Sequence, residues 1–204
     1  MVDFALLILR LTLGGLLAGH GAQKLFGAFG GPGPKGTAGM MEALGLRPGH
    51  RWAAAAALSE FGGGVLTALG LFNPLGPLGI MGSMSMATAT VHWGKPIWVT
   101  AGGAELPVTN MAIAGALTAA GPGRYSLDRA FGIRLPGVIV VGTLITAAAL
   151  LGLGLAGRSA GAPGRQEQVG AQAPAGQEQV GAKVPAGEEQ AGAGAPAGQE
   201  ATAS

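Results

Sequence analysis

Ionisable side chains within long apolar runs are the residues of this sequence best able to do chemistry. Arg10, His20 and Glu60 lie inside such runs, and His92 and Glu105 lie at the ends of others. If the runs lie in lipid, each such group costs about 2.5–3.5 kcal/mol or more unless it is paired. Each is therefore expected to have a partner and is a candidate for a functional site.

Arg10 and Glu60 are the first pair to consider. At a helix rise of about 1.5 Å per residue, Glu60 lies about 12 Å from one end of its run and Arg10 about 9 Å from the opposite end of its own. On neighbouring antiparallel helices a long side chain could join them, and His20 would lie within one or two turns of Glu60. The sequence leaves two interpretations open, a structural tie between the two runs and a functional site. The tie is favoured because Arg10 needs a counter-ion.

A polar rim is predicted where the first run ends. His20, Gln23 and Lys24 stand at i, i+3 and i+4, so they share one face if the helix continues. They could meet a lipid or quinone head group, or be an interfacial His and a Lys that snorkels to the surface. The candidate polar site comprises Arg10, His20, Gln23, Lys24, Glu60, His92, Trp93 and Glu105.

The histidines also raise the question of a cofactor. His20 and His92 on facing helices could ligate a b-type haem or a metal, but neither has a second ligand at helical spacing. The sequence therefore disfavours haem, predicts no metal and favours a quinone head group beside His92 and Trp93. The absence of Cys excludes a thiol–disulfide exchanger, a Cys-held iron–sulfur cluster and covalent c-type haem. No nucleophile–base pair is evident, so enzymatic activity stays open, at most as a non-catalytic or quinone-binding subunit.

The elements that must position these residues are apolar helices. Charged residues make up 11% of the chain and apolar residues 49%, whereas a soluble domain carries about 25% charged residues. Apolar runs cover residues 4–21, 52–72, 75–93, 106–120 and 135–156. The sequence predicts an all-α, polytopic transmembrane helical bundle in the cell (cytoplasmic) membrane, with the lipid bilayer as partner and no nucleic acid.

Antiparallel spans sort the connecting segments into two ends. Side A contains the N-terminus, the 73–77 turn and residues 121–134. Side B contains the 22–51 and 94–105 connectors, the C-terminus and all three histidines and all three tryptophans. More Lys and Arg lie near span ends on side B, which favours side B in the cytoplasm. One or two turns of interfacial helix are expected within residues 37–44.

Glycines within the runs predict close contacts between helices. Gly15 and Gly19 form a G-x-x-x-G motif, and Gly62, Gly63 and Gly64 crowd the second run. Small residues at this spacing allow helix backbones to approach each other. The glycine run is not a nucleotide loop, because no strand precedes it and no G-K-[ST] follows.

The C-terminal segment has a different character. From residue 162 the sequence repeats every eleven residues, with Pro163, Pro174, Pro185 and Pro196 holding the register. Pro and Gly in each repeat, with few large apolar residues, predict disorder. The predicted organisation is a transmembrane domain over 1–157 and a disordered low-complexity tail over 158–204.

Four segments carry a resemblance to a known family: L-R-L-T-L-G-G-L-L-A-G-H-G-A-Q-K-L-F-G, G-T-A-G-M-M-E-A-L-G-L, S-E-F-G-G-G-V-L-T-A-L-G and G-P-G-R-Y-S-L-D. Over residues 5–130 the chain resembles the DoxX family of bacterial membrane proteins. The resemblance implies a four-helix membrane bundle, to which the fifth run and the tail are additional, and a link to redox complexes. His20, Gln23, Lys24 and Glu60 fall in motif positions, without a catalytic assignment.

Three functions remain open from the sequence. The leading hypothesis is the membrane subunit or scaffold of a redox complex, with quinone bound between the first three runs at side B and other subunits as partners. The second is a small-solute or proton pathway with Glu60 and Arg10 as a buried relay. The third is a purely structural assembly protein.

Overall fold

A computed structural model describes residues 1–160, all in helices and connecting turns. The helices are α1 (Val2–Phe26), α2 (Gly33–Ala43), α3 (Gly49–Leu69), α4 (Leu75–Ala87), α5 (Glu105–Ala120), α6 (Leu127–Phe131) and α7 (Gly137–Ala160). A π-helical turn over Thr88–His92 continues α4, and single 3₁₀ turns occur at Ala28–Gly30 and Val99–Ala101. No strand occurs within these residues, which confirms the all-α prediction.

Two element boundaries differ from the sequence prediction in ways that matter for the site. The first run continues as helix to Phe26 and stops at Gly27, whose φ of 70° ends it, so Lys24 belongs to α1. The predicted interfacial turn is an eleven-residue helix, α2. At the other end α7 passes the predicted boundary at residue 157, and the remainder of the predicted tail lies outside the described residues.

Three helices within the described residues are long and apolar enough to cross a membrane, namely α1, α3 and α7. Their exposed apolar side chains, such as Ile8, Leu16 and Leu144, indicate a lipid bilayer environment. The helix α4 has 13 residues before the five-residue π-helical turn that continues it, and α5 has 16, so both segments are shorter than a typical span of about 20 residues. The five-span arrangement therefore stays a prediction.

The helices α1 and α3 are in backbone contact through glycines. A Cβ added at Gly14 would lie 2.6 Å from the carbonyl oxygen of Gly64, and one at Gly64 would lie 2.6 Å from that of Gly14. A Cβ at Gly21 would meet the backbone of Phe61. Only glycine allows so close an approach, because any larger side chain would overlap the facing backbone.

The set of contact glycines corrects the sequence prediction. Gly15, Gly19 and Gly62 have no atom within 4 Å of the position of a Cβ, so they do not mark a close approach between helices in the described structure. Gly63 and Gly64 do lie at contacts, Gly63 against Gly76 of α4. Adjacent residues point about 100° apart around a helix, so in the pair Gly14-Gly15 only one residue can face α3.

The bundle core lies where α1, α4 and α5 meet. Its buried apolar residues are Leu6, Leu13, Leu17, Ile80, Met84, Ala114 and Leu117. The α3–α4 contact also contains a hydrogen bond, since Ser59 Oγ donates to the carbonyl oxygen of Gly79 at 2.7 Å.

Arg10 anchors one end of the bundle rather than pairing with Glu60, which corrects the sequence prediction. It is 2% exposed, and its Nη2 donates to the carbonyl oxygen of Tyr125. The carboxylate of Asp128 accepts hydrogen bonds from the backbone N–H groups of Phe72 and Asn73 at 2.8 and 2.7 Å. Arg10 thus finds its hydrogen-bond partner in the segment after α5, where antiparallel connections bring distant loops to one end.

The short helix α6, which contains Asp128, was not predicted. Ser126 caps it, because its Oγ accepts from the N–H of Arg129 at 3.2 Å. A Ser followed by an acidic residue in the first turn is a recognised helix-start signal, so S-L-D-R in the sequence could have revealed it.

The helix α7 is fixed at the opposite end of the bundle. Arg158 Nη1 donates to the carbonyl oxygen of Ala89 at 3.0 Å and Nη2 to that of Thr90 at 3.4 Å. Both acceptors belong to the π-helical turn. One turn earlier, the backbone at Gly154 lies close to the side chains of Met86 and Trp52. The last helix is therefore part of the bundle.

Candidate ligand cavity

A cavity of about 580 Å³ lies between α2, α3, α4 and α7. Most of its wall is apolar and includes Met41, Leu46, Trp52, Met86 and Leu150. Sites for small molecules are typically concave, mostly apolar spaces of about 300–1,000 Å³ with a few placed polar groups. The cavity has the size and lining of such a site.

The polar groups of the cavity centre on Glu60. Its Oε2 forms an ion pair with Lys24 Nζ, and its Oε1 accepts a hydrogen bond from Ser83 Oγ at 3.0 Å. The side chains of Lys24 and Glu60 are 19% and 6% exposed, respectively. Three helices, α1, α3 and α4, therefore meet in one hydrogen-bonded group on the cavity wall.

The local sequence explains why Lys24 reaches Glu60. The helix α1 continues past His20 to Phe26, and Gly21 lets it approach α3 at Phe61, the residue next to Glu60. The rings of Phe26 and Phe61 pack edge to face with centroids 5.5 Å apart. Lys24 lies near a helix end, where its chain could extend to the membrane surface, but it turns inward to the carboxylate.

His20 and Gln23 do not take the predicted place beside Glu60. His20 is exposed and Gln23 is half-buried, and neither lines the cavity. The backbone of Gln23 instead lies against Gly31 of the following turn. Residues at i, i+3 and i+4 spread over a sector of the helix, and the contact through Gly21 turns only Lys24 toward the carboxylate.

His92, Trp93 and Glu105 organise the second connector and lie outside the cavity lining. His92 Nδ1 donates to the carbonyl oxygen of Gly102 at 2.7 Å, and Glu105 Oε2 accepts from the N–H of Val99 at 2.8 Å. Trp93 is 81% exposed. Of the eight predicted polar-site residues, the structure brings Lys24 and Glu60 together at the cavity and places the other six elsewhere.

Ser83 and the cavity-lining residues of α7 belong to the site but were not predicted from the sequence. Ser83 lies in the third apolar run on a face with Gly79 and Gly82, a cluster of small polar and glycine residues that signals a close approach or a cavity. For α7, the face that lines the cavity includes Thr143 and Thr146. No local pattern could show which helix they would face.

The described residues contain no group of three or more His, Asp or Glu side chains placed to hold a metal ion. The polar groups that the cavity lining does contain are the Lys24–Glu60 ion pair and several hydroxyl groups.

Comparisons with known proteins bear on this arrangement. Residues 5–93 match the family model DoxX, a range that contains Lys24, Glu60 and Ser83. No curated protein and no solved structure matches the chain significantly. The match covers the first four helices and ends before the G-P-G-R-Y-S-L-D segment and α7. The resemblance read from the sequence is thus confirmed over residues 5–93, which carry a DoxX domain, and this domain together with the apolar helices supports a membrane protein.

Proposed function

We propose that this protein is a multi-pass component of the cytoplasmic membrane that binds a lipophilic molecule with one polar head group, of the quinone type, as a subunit of a redox complex. The observation that carries the proposal is the buried Lys24–Glu60 pair on the wall of an otherwise apolar cavity. An apolar body would fill the cavity, and the head group would meet the polar wall.

The position of the pair favours ligand binding over a purely structural tie. Burying two charges costs several kcal/mol per ion before their attraction offsets it, so an apolar pair often stabilises a fold equally well. Here the pair borders a space large enough for a ligand. Polar groups that converge on an apolar cavity are the usual means of orienting a small molecule.

The alternative of a proton or solute pathway loses its main support. That pathway required Arg10 and Glu60 to form one relay. In the structure Arg10 contacts Tyr125 and Glu60 contacts Lys24 and Ser83. The two groups therefore belong to separate hydrogen-bond networks at different places in the bundle.

The binding proposal is testable with two glycine variants of α7. Gly142 lines the cavity and Gly152 does not, and a Cβ added at either glycine would have no atom within 4 Å. Leucine at either position therefore causes no backbone clash, but only Gly142→Leu places a side chain at the cavity. The chain carries Trp52 in the wall and two further tryptophans, Trp93 and Trp98, so Trp93→Phe with Trp98→Phe leaves one reporter.

In lipid nanodiscs, decyl-benzoquinone should quench Trp52 fluorescence saturably. Gly142→Leu should weaken the apparent affinity at least about tenfold, which corresponds to about 1.4 kcal/mol, and Gly152→Leu should leave it unchanged. Quenching that rises linearly with quinone concentration in all three proteins would show partition into lipid and would refute the proposal.

The role in a complex needs a separate measurement. Affinity purification from native membranes in a mild detergent, followed by mass spectrometry, should recover redox subunits in stoichiometric amount. Recovery of the chain alone or with itself would contradict that part of the proposal and leave ligand binding in place.

A further inference from the structure

The hydroxyl groups that line the cavity share one property, which is that each already donates its proton. The bonds are Ser59 to the Gly79 carbonyl, Ser83 to Glu60, Thr90 to the Met86 carbonyl, Thr143 to the Ile139 carbonyl and Thr146 to the Gly142 carbonyl, at 2.7, 3.0, 2.8, 2.9 and 2.8 Å. A hydroxyl has one donor and two acceptor lone pairs. Toward a ligand these groups therefore act as acceptors.

The charged pair adds one donor group, the ammonium of Lys24, and one further acceptor group, the carboxylate of Glu60. The ammonium group of Lys24 carries three N–H donors, and its contact with Glu60 uses one of them. The carboxylate of Glu60 only accepts when ionised. Trp52 carries the other side-chain N–H of the described lining, but it lies eight residues from Glu60, about 12 Å along α3.

These donors and acceptors of the cavity lining favour some ligand head groups over others. A carbonyl or an ether oxygen accepts only, so it uses Lys24 and leaves the acceptors unused. A carboxylate would be attracted by Lys24 and repelled by Glu60, and an ammonium group would experience the reverse. A neutral hydroxyl satisfies both partners, because it accepts from Lys24 and donates to Glu60 or to a hydroxyl oxygen.

We infer that the ligand is a neutral molecule with a hydroxyl head group on an apolar body. The inference rests on the proposed function and narrows its ligand class from quinone-type head groups in general to those that carry a hydroxyl group, as the reduced quinol form does. The head group lies against Lys24, Glu60 and Ser83, and the apolar body extends toward Trp52, Leu46 and Met86. The threonines of α7 are acceptors on the facing wall, so α7, which lies outside the DoxX match, contributes to selection of the ligand.

The test is a competition with two compounds that differ only at the head group, 4-decylphenol and its methyl ether, 4-decylanisole. Each displaces decyl-benzoquinone in the Trp52 quenching assay. The phenol should compete at least about tenfold more strongly than the ether, because the ether lacks the proton that a charged acceptor would receive. Equal competition would overturn the inference while saturable quenching still upheld the proposed function.

Variants test whether the Lys24–Glu60 pair causes the preference for the phenol over the ether. In Lys24→Met with Glu60→Met the phenol and the ether should compete within about threefold of each other, because neither charged partner remains. Glu105→Gln, a matched carboxylate change outside the cavity, should keep the full preference. A preference that persists in the double variant would overturn the assignment.

Ser83→Ala provides a second variant in case the double variant does not fold. It removes one hydroxyl, leaves both charges in place and should reduce the preference measurably while circular dichroism shows a native helix content. An unchanged preference in folded Ser83→Ala would count against Ser83 as part of the head-group site.

Discussion

Replacement of Lys24 should lower the free energy of unfolding more than replacement of its partner Glu60. In Lys24→Met the carboxylate of Glu60, which is 6% exposed, keeps only Ser83 as a partner. Breaking a buried ion pair from one side costs about 3–5 kcal/mol. Because the Lys24 side chain retains 19% exposure, the lower value applies, about 3 kcal/mol. In Glu60→Met, Lys24 is near the end of α1 and can extend to the surface, so the cost falls to about 1 kcal/mol.

The double variant gives the sharper measurement. Two apolar side chains in place of the pair should return the free energy of unfolding to within about 1 kcal/mol of the wild type. The coupling energy between the two positions, the amount by which the two single losses exceed the loss in the double variant, is then about 4 kcal/mol. Unfolding in mixed micelles with increasing sodium dodecyl sulfate, followed by circular dichroism, measures all four proteins.

A second double-mutant cycle, between Arg10 and Glu60, serves as the control for the cycle between Lys24 and Glu60. Arg10→Met and Glu60→Met lie in separate networks, so their effects on the free energy of unfolding should add within about 0.5 kcal/mol. Additive effects of Lys24→Met and Glu60→Met, or strong coupling between Arg10 and Glu60, would refute the reasoning about which charges are partners.

Two further predictions concern helix contacts. Gly64→Ala should lower the free energy of unfolding by about 1–3 kcal/mol, because its Cβ would overlap the backbone of α1. Gly62→Ala should have little effect, because the space there is open. The same detergent titration compares the two variants, and equal losses would contradict the observed contact between α1 and α3. Arg158→Gln should speed amide exchange in the last turns of α7, because it removes the hydrogen bonds to Ala89 and Thr90; unchanged exchange would show that apolar contacts alone hold this end.

Hydropathy was sufficient to find the long helices, because an apolar run in lipid must satisfy its backbone groups within itself. Helix ends were less predictable. The first run was placed at 4–21 and ended at Gly21, yet the helix continues through this glycine and α1 extends to Phe26. That difference of about one turn moved Lys24 from a surface role to the partner of Glu60.

Partner choice was the part that the sequence could not supply. Arg10 and Glu60 are the most central charges of their runs, so depth alone paired them, but depth does not fix the rotation of a helix. Gly14 rather than Gly15 faces α3, and this rotation directs Arg10 toward Asp128 and Tyr125. The cavity depends on four helices that are distant in sequence, and Thr143 on α7 carries no local sign of it.

The most direct test of the central claim, that the cavity between α2, α3, α4 and α7 is the ligand site, is photolabelling with an azido-substituted decyl-benzoquinone in nanodiscs, mapped by mass spectrometry. We predict adducts on cavity-lining residues such as Trp52, Met86 and Leu150, which excess unlabelled quinone suppresses. Adducts confined to lipid-facing residues such as Ile8 and Leu16, without competition, would contradict the claim.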